Sequence, residues 1–356
     1  MKILITGGAG FIGSNLAFRV KSAYPRSKIT CLDNLTRKGS ALNVKRLEKA
    51  GIIFMRGDVG IQKNIDACGS FDLVIDCAAD PSVLSGIRTS VDDLIRTNFT
   101  GTLNTLKAAC DFKADVIFLS TSRVYPIDLL NSINTIESKA RFVISGKQSM
   151  VGISKKGISE SFPLTGKSRS FYGSSKLASE LFLGEFGNFG NMGNYVINRC
   201  GVIAGPWQMG KVDQGVMTLW AARHYFGQPL SYIGWGGKGK QVRDFLHIDD
   251  LCDLVLKQIS NMQLFNAKVL HVGGGAENSA SLFELTAIVR EAAGRSVPMQ
   301  EVTSNREADV KLYISDNSFI EKLTSWRPVR SLRQIANDTI NWIRRNEKIL
   351  QPIIGS

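Results

Sequence analysis

Residues 5 to 17, ITGGAGFIGSNLA, follow a short apolar run and lead into an amphipathic one. Gly7, Gly10 and Gly13 stand three apart, and Gly8, Gly10 and Gly13 also satisfy a G-x-G-x-x-G spacing. Early glycines let a strand turn tightly into a helix and let the backbone approach a pyrophosphate. The last lets helix and strand pack closely, with the phosphates at the positive helix N-terminus. A glycine turn alone is weak, because such turns are common. Here it lies between a strand and a helix, and Asp33 follows Gly13 by twenty residues at the end of the second apolar run, KITCLD. Asp33 is expected to accept a hydrogen bond from an adenosine ribose and to repel a 2′-phosphate, favouring NAD over NADP. Arg37 and Lys38 beside it either soften that preference or form a solvated basic loop, and read as the loop.

Working outward, KILIT, KITCLD, IIFMRGD, DLVIDCAA and VIFLSTS are continuous apolar runs, separated by amphipathic segments such as SNLAFRVKSA and TGTLNTLKAAC. That alternation predicts a doubly wound, Rossmann-type α/β fold with a parallel sheet buried on both faces. Phe11 and Ile12 in the turn, Asn34 after Asp33, and Asp58 and Val59 after the third strand are expected to contact the cofactor. So are Ala78 and Ala79, small enough for it to lie against the backbone, together with Asn98 and Cys200. Residues 126–168 show no clear period and read as a lid or an insertion with its own structure. A helix is expected from about Ser174, and HIDDLCDLVLKQI reads as a helix entered through an Asp cap. The expected division is an NAD-binding domain over 1–203, with the 126–168 insertion and a returning segment at about 244–265. A smaller C-terminal α+β substrate lobe would hold 204–243 and 266–356.

The rest of the composition narrows the classes. The 356 residues, 44% of them apolar, suffice for a large core, and no apolar run reaches the roughly 18 residues of a membrane span. The N-terminus reads directly as a strand, so export is not expected. Six cysteines with no C-x-x-C pair read as reduced thiols in a cytoplasm, and three scattered histidines make no metal site. The net charge of +13 is spread along the chain without a basic block, which argues against nucleic acid and for small anionic substrates or colloidal solubility. His224 and His247 read as structural, the latter packing or capping the helix after it.

The segment RSFYGSSKLASE, residues 169–180, places Tyr172 and Lys176 four apart, on one helix face. A phenol is a poor base at neutral pH, but an adjacent ammonium and a positive nicotinamide would stabilise its phenolate. The pair alone is a chance pattern. It gains weight beside the glycine turn and LSTSRVY, whose Thr121 or Ser122 would face the ligand crevice at a strand's carboxyl end.

Together GGAGFIG, the strand-end Thr121 and YGSSK resemble the extended short-chain dehydrogenase/reductase family, the NAD-dependent sugar-nucleotide epimerases and dehydratases. RTNFTGTLN, GKQVRDFLHIDDL and SWRP extend the likeness over nearly the whole chain. The resemblance implies Tyr172 as catalytic base, Lys176 lowering its pKa and holding the nicotinamide ribose, and Thr121 bonding the reacting hydroxyl. It implies Arg243 and Arg306 near a substrate diphosphate, and a homodimer or homotetramer. The 4,6-dehydratases carry an Asp-Glu pair after the strand-end Thr; Ser122 and Arg123 stand there instead, so dehydratase chemistry lacks its tools. Arg123, with GPWQMGKVDQG and its Gln214, most resembles the CDP-paratose 2-epimerases of lipopolysaccharide O-antigen biosynthesis. Ser122, Arg123 and Gln214 then contact the substrate; Arg123 either meets the sugar or forms a structural salt bridge. The implied reaction inverts C2 of a CDP-dideoxyhexose through a transient 2-keto sugar, with NAD tightly bound and regenerated each turnover. The alternatives are a UDP-sugar 4-epimerase or another family member acting on a nucleotide sugar, and a non-catalytic NAD-binding scaffold.

Overall fold

The apolar runs become strands and the amphipathic runs helices in the computed structural model, which describes residues 1–211 and 213–355. Seven strands form one sheet: β1 (Lys2–Thr6), β2 (Lys28–Asp33), β3 (Ile53–Arg56), β4 (Leu73–Asp76), β5 (Asp115–Thr121), β6 (Tyr195–Cys200) and β7 (Lys268–Val272). Their spatial order is β7-β6-β5-β4-β1-β2-β3. The pairings of β1 with β2 and β4, of β2 with β3, and of β4 with β5 are parallel. Helices α1 (Phe11–Ala23), α2 (Ala41–Lys49), α3 (Gln62–Asp66), α4 (Gly101–Phe112), α5 (Phe171–Phe189) and α6 (Ile248–Ser260) run between them. Ile3, Leu4, Ile5, Val74, Ile75, Val116 and Phe118 are all buried, as strands covered on both faces require. Strand order reverses between β1 and β4, so their carboxyl ends border the crevice where such sheets take ligands.

The chain divides into two compact units. The first comprises Met1–Val124, Phe171–Arg199 and Leu251–Leu270; the second comprises Tyr125–Ser170, Cys200–Asp250 and the chain from His271 onward. The expected boundaries differ most at the 126–168 insertion, which groups with the second unit. It has its own structure, a helix Ile127–Ser132 and two hairpins, Thr135–Glu137 with Phe142–Ile144 and Ile153–Ser154 with Gly157–Ile158. These pieces are too short to bury a core alone, and their partners explain the grouping. Phe142 and Ile144 pack with Val242, Leu312 and Ile314. The Phe142 N–H donates to the Lys240 carbonyl at 3.1 Å, and the Ile158 N–H to the Ile314 carbonyl at 2.8 Å. His271 Nδ1 lies 2.8 Å from the Ile158 carbonyl, which makes it the donor, so Nε2 accepts the Tyr125 hydroxyl at 2.5 Å.

The second unit is α+β. Strand Val242–His247 pairs in parallel with Val202–Ala204 and Leu312–Tyr313 and antiparallel with Ser279–Ser281. Helices Val216–Phe226, Leu282–Ala293 and Leu332–Arg345 are among its helices. The cap of α6 is His247, not the expected Asp: its Nδ1 accepts the Asp249 N–H at 3.0 Å. Burial holds that imidazole below the usual histidine range, keeping an acceptor nitrogen available. Asp249 and Asp250 occupy the first turn, where their charge suits the helix dipole, and Asp250 also pairs with Arg330 at 2.6 Å. His224 is buried with Nδ1 2.8 Å from the Trp220 carbonyl, a structural role.

Tyr125→Phe removes the donor to a buried imidazole nitrogen and is expected to cost about 1–3 kcal/mol. Urea unfolding checks it; a loss under about 0.5 kcal/mol contradicts the insertion's anchorage through this bond.

Candidate active site

The glycine turn divides its labour by position. Gly7 has φ +61°, and a Cβ there would meet the Ala78 Cα and the Cys77 carbonyl oxygen at 2.9 Å. A Cβ at Gly8 would overlap Cys31 of β2, and one at Gly13 the Gly7 carbonyl, so α1 meets β1 backbone to backbone. At Gly10 only the Gly7 carbonyl oxygen is near, at 3.1 Å. No side chain caps α1 at Gly10, and its first turn carries no acidic residue. The first N–H groups of a helix seek an outside acceptor, so this end fits an anionic diphosphate. Phe11 and Ile12, in that first turn, are half-buried.

Asp33 is fixed by the turn it serves. Its Oδ2 accepts the Ala9 N–H at 3.1 Å and its Oδ1 the Leu35 N–H at 2.8 Å. Burial pushes its carboxyl above the usual carboxylate range, and the backbone N–H bonds oppose that push. A carboxylate has about four lone-pair sites, so ribose hydroxyls still have acceptors there. Asn43, which sequence reading missed, holds the Ala9 carbonyl from α2 at 2.8 Å. Asn34 donates to Asp58 at 3.3 Å, and Asp58 accepts the Gly60 N–H at 2.8 Å and faces Arg96 at 3.5 Å. Val59 is buried, its carbonyl taken by Asn104.

At the carboxyl end of β4 a buried relay sets the backbone of Cys77 and Ala78 over the glycine turn. The Thr6 hydroxyl donates to Asp76 at 2.5 Å and accepts both the Cys77 and Ala78 N–H groups at 3.2 Å. Thr102 donates to the other Asp76 oxygen at 3.0 Å. Ala79 is half-buried beside them. Asn98 lies in a π-helical turn, Arg96–Thr100, a distortion that recurs at functional sites. It accepts the Asp80 N–H at 2.7 Å and donates to the Asp80 carbonyl at 3.1 Å and to Ser175 of α5 at 3.2 Å. In this way Asn98, expected to contact the cofactor, joins the segment after β4 to the helix of Tyr172.

That helix begins at Phe171 rather than near Ser174, so Tyr172 and Lys176 are one helical turn apart, both buried. Helix α5 packs on β5 and on the short turn Ser122–Val124. The Lys176 ammonium lies 4.0 Å from the centre of the Phe118 ring, a favourable placing for a desolvated cation. Thr121 ends β5 and accepts the Arg123 N–H at 3.2 Å; Ser122 and Arg123 are half-buried. The first unit therefore brings together Gly7, Gly10, Gly13, Asp33, Ala78, Asn98, Thr121, Tyr172 and Lys176 on strand ends and adjoining helices.

The other expected contacts lie in the second unit. Cys200 is buried at the end of β6. Gln214 has a buried Oε1 without a hydrogen-bond partner among the described residues. Arg243 pairs with Asp309 at 3.1 Å and donates to the Val242 and Val310 carbonyls, each at 2.7 Å. Arg306 is half-buried in the loop before Asp309.

The glycine cradle, the uncapped start of α1 and Asp33 are the parts of a dinucleotide-binding enzyme. The chain belongs to the NAD dependent epimerase/dehydratase family, whose model matches residues 3–273. It is 28% identical to the CDP-paratose 2-epimerase of Salmonella typhi over 354 residues, covering 96% of this chain and 99% of that protein. It is 27% identical to the dTDP-glucose 4,6-dehydratase of Streptomyces antibioticus, covering 99% of this chain and 95% of that one. The crystal structure of the Thermus thermophilus UDP-glucose 4-epimerase in complex with NAD superposes with a TM-score of 0.73 at 25% identity, covering 97% and 99% of the two chains. The protein is an NAD-dependent enzyme of this epimerase kind.

Asp33→Ala removes the expected ribose acceptor and the partner of the Ala9 N–H together. Affinity for NAD is expected to fall about tenfold or more, and the preference over NADP to narrow. Equilibrium titration with both dinucleotides measures this; unchanged NAD affinity contradicts the assignment.

Proposed function

We propose that the protein is a nucleotide-sugar epimerase that inverts C2 of a CDP-dideoxyhexose without net oxidation. The observation that carries an epimerase reading is the pairing of Tyr172 and Lys176, buried one turn apart on a helix packed against the Thr121 end of β5. A dinucleotide scaffold alone needs no buried phenol and ammonium at that place. The family's dehydratase members are disfavoured by Ser122 and Arg123, which offer no acid–base pair for loss of water.

NAD, when bound, supplies a reversible acceptor for the hydrogen of the carbon that is inverted. Tyr172 takes the proton of that carbon's hydroxyl, as a phenolate stabilised by the Lys176 ammonium. The Thr121 hydroxyl orients the reacting oxygen, and Ser122 and Arg123 contact the sugar. After the sugar has turned, Tyr172 returns the proton. Arg243 and Arg306 are proposed to hold the nucleotide diphosphate and Gln214 to contact the substrate; Arg243 then needs to exchange part of its Asp309 pairing for phosphate.

The nearly full-length likeness to a CDP-paratose 2-epimerase supports the choice of C2 and of a CDP-sugar. The fold shared with a UDP-glucose 4-epimerase supports C4 inversion as the second reading. The proposed setting is cytoplasmic O-antigen sugar synthesis. Assembly as a homodimer or homotetramer is proposed from the exposed Leu181, Phe182 and Phe189 of α5.

Incubation with CDP-, UDP-, GDP- and dTDP-sugars in deuterated water, read by NMR, tests the proposal. Inversion at C2 of a CDP-sugar with no deuterium at the inverted carbon is expected. Inversion at C4 alone establishes the second reading, and solvent deuterium on the inverted carbon overturns both. Tyr172→Phe is expected to lower kcat about a hundredfold or more, and full activity in that variant contradicts the role of Tyr172.

A further inference from the structure

The segment that carries Tyr172 and Lys176 ends on Glu180, a residue with no part in the chemistry above. Glu180 lies four residues beyond Lys176 and eight beyond Tyr172, on the same helix face. A Lys and a Glu at that spacing on a surface helix pair with each other. Here both are buried, and Glu180 is committed elsewhere. Arg199 Nε reaches both Glu180 oxygens at 3.1 Å, and its NH2 reaches Oε2 at 2.7 Å. The Ser120 hydroxyl donates to Oε1 in a short bond. The side chains of Arg199 and Glu180 are only 6% and 4% exposed.

The three residues sit on three elements: Ser120 on β5, next to Thr121; Glu180 on α5; Arg199 on β6. A buried ion pair is a poor source of stability, because removing two charges from water costs about as much as their attraction returns. Its advantage over apolar packing is direction. Apolar packing such as that of the buried cluster holding Leu183, Val116 and Phe118 tolerates a helix sliding along the sheet. Hydrogen bonds of fixed length from one carboxylate to two strands do not. Phe118 and Ser120 share one face of β5, so the strand that receives the Lys176 ammonium also receives Glu180.

We propose that the Ser120–Glu180–Arg199 triad fixes the position of α5 on β5 and β6, and so holds Tyr172 and Lys176 in place at the Thr121 end of the sheet. Glu180 and Arg199 are positioning residues in this account. Its catalytic consequence rests on the acid–base role given above to Tyr172.

The test is the paired variant Glu180→Met with Arg199→Met, beside Ser120→Ala and the wild type. Replacing a buried ion pair by apolar residues of similar volume is often neutral or stabilising. The paired variant is therefore expected to melt within about 5 °C of the wild type and to bind NAD within about threefold. Its kcat is expected to fall about thirtyfold, with KM moving less than about threefold. The acidic limb of its pH–rate profile moves to higher pH, because a displaced ammonium stabilises the phenolate less. Ser120→Ala shows the same changes in smaller measure and serves where the paired variant does not fold.

Ultraviolet titration of the Tyr172 phenolate, taken as the difference between each protein and its Tyr172→Phe counterpart, needs no substrate. A rise in the phenolate midpoint in Ser120→Ala and the paired variant supports the proposal even if no sugar is turned over, an outcome that would sink only the epimerase reading. An unchanged midpoint in folded variants overturns the proposal. So does wild-type kcat with an unshifted pH profile, whatever the change in melting temperature.

Discussion

The missing Cβ atoms at Gly7 and Gly13 set the geometry on which the rest depends. Because Gly13 meets the Gly7 carbonyl directly, α1 starts close against the end of β1. Because Gly7 meets the Ala78 Cα, the segment leaving β4 is drawn over the same turn. These two backbone contacts narrow the reversal point of the sheet to a slot bordered by N–H groups. A side chain at either glycine would separate the elements, and the diphosphate position would be lost with them.

Polar groups then hold that slot. Thr6, Asp76 and Thr102 form one buried relay, and Asp33 and Asn43 grip the two sides of the Ala9 residue. Asn98 ties the segment after β4 to α5 through Asp80 and Ser175. Buried networks of this kind are costly when incomplete and rigid when complete. The same logic applies lower on α5, where Glu180 answers Ser120 and Arg199. The glycine turn and the proposed proton-handling pair are thus set by hydrogen bonds within one unit.

Much of this was legible in the sequence, for local reasons. A strand, a glycine turn, a helix and an acid at the next strand's end are signalled within about thirty residues, so the Rossmann sheet and the place of Asp33 at the end of β2 followed directly. Tyr172 and Lys176 were legible as a spacing. Asp76, Asn43 and Glu180 were not, since a lone carboxylate or amide shows nothing of a partner dozens of residues away. Glu180 in particular reads as half of a surface pair with Lys176. The 126–168 insertion was opaque because its partners, Lys240, Lys311 and Ile314, lie far along the chain and impose the order that its own pattern lacks. The expected Asp cap of α6 gives way to His247, also read as packing or capping there, because the helix starts at Ile248 and leaves Asp249 and Asp250 inside its first turn.

The account joins a dinucleotide slot to a buried phenol and ammonium, and its central claim is chemistry that begins and ends with oxidised NAD. Stopped-flow mixing of the NAD-loaded protein with the sugar nucleotide it turns over, followed in the near-ultraviolet band of reduced nicotinamide, tests that claim most directly. The account predicts a signal that never exceeds one equivalent per site and decays when conversion is complete. A signal that climbs beyond one equivalent in excess NAD, or product formation with no such signal in a single turnover, would contradict it.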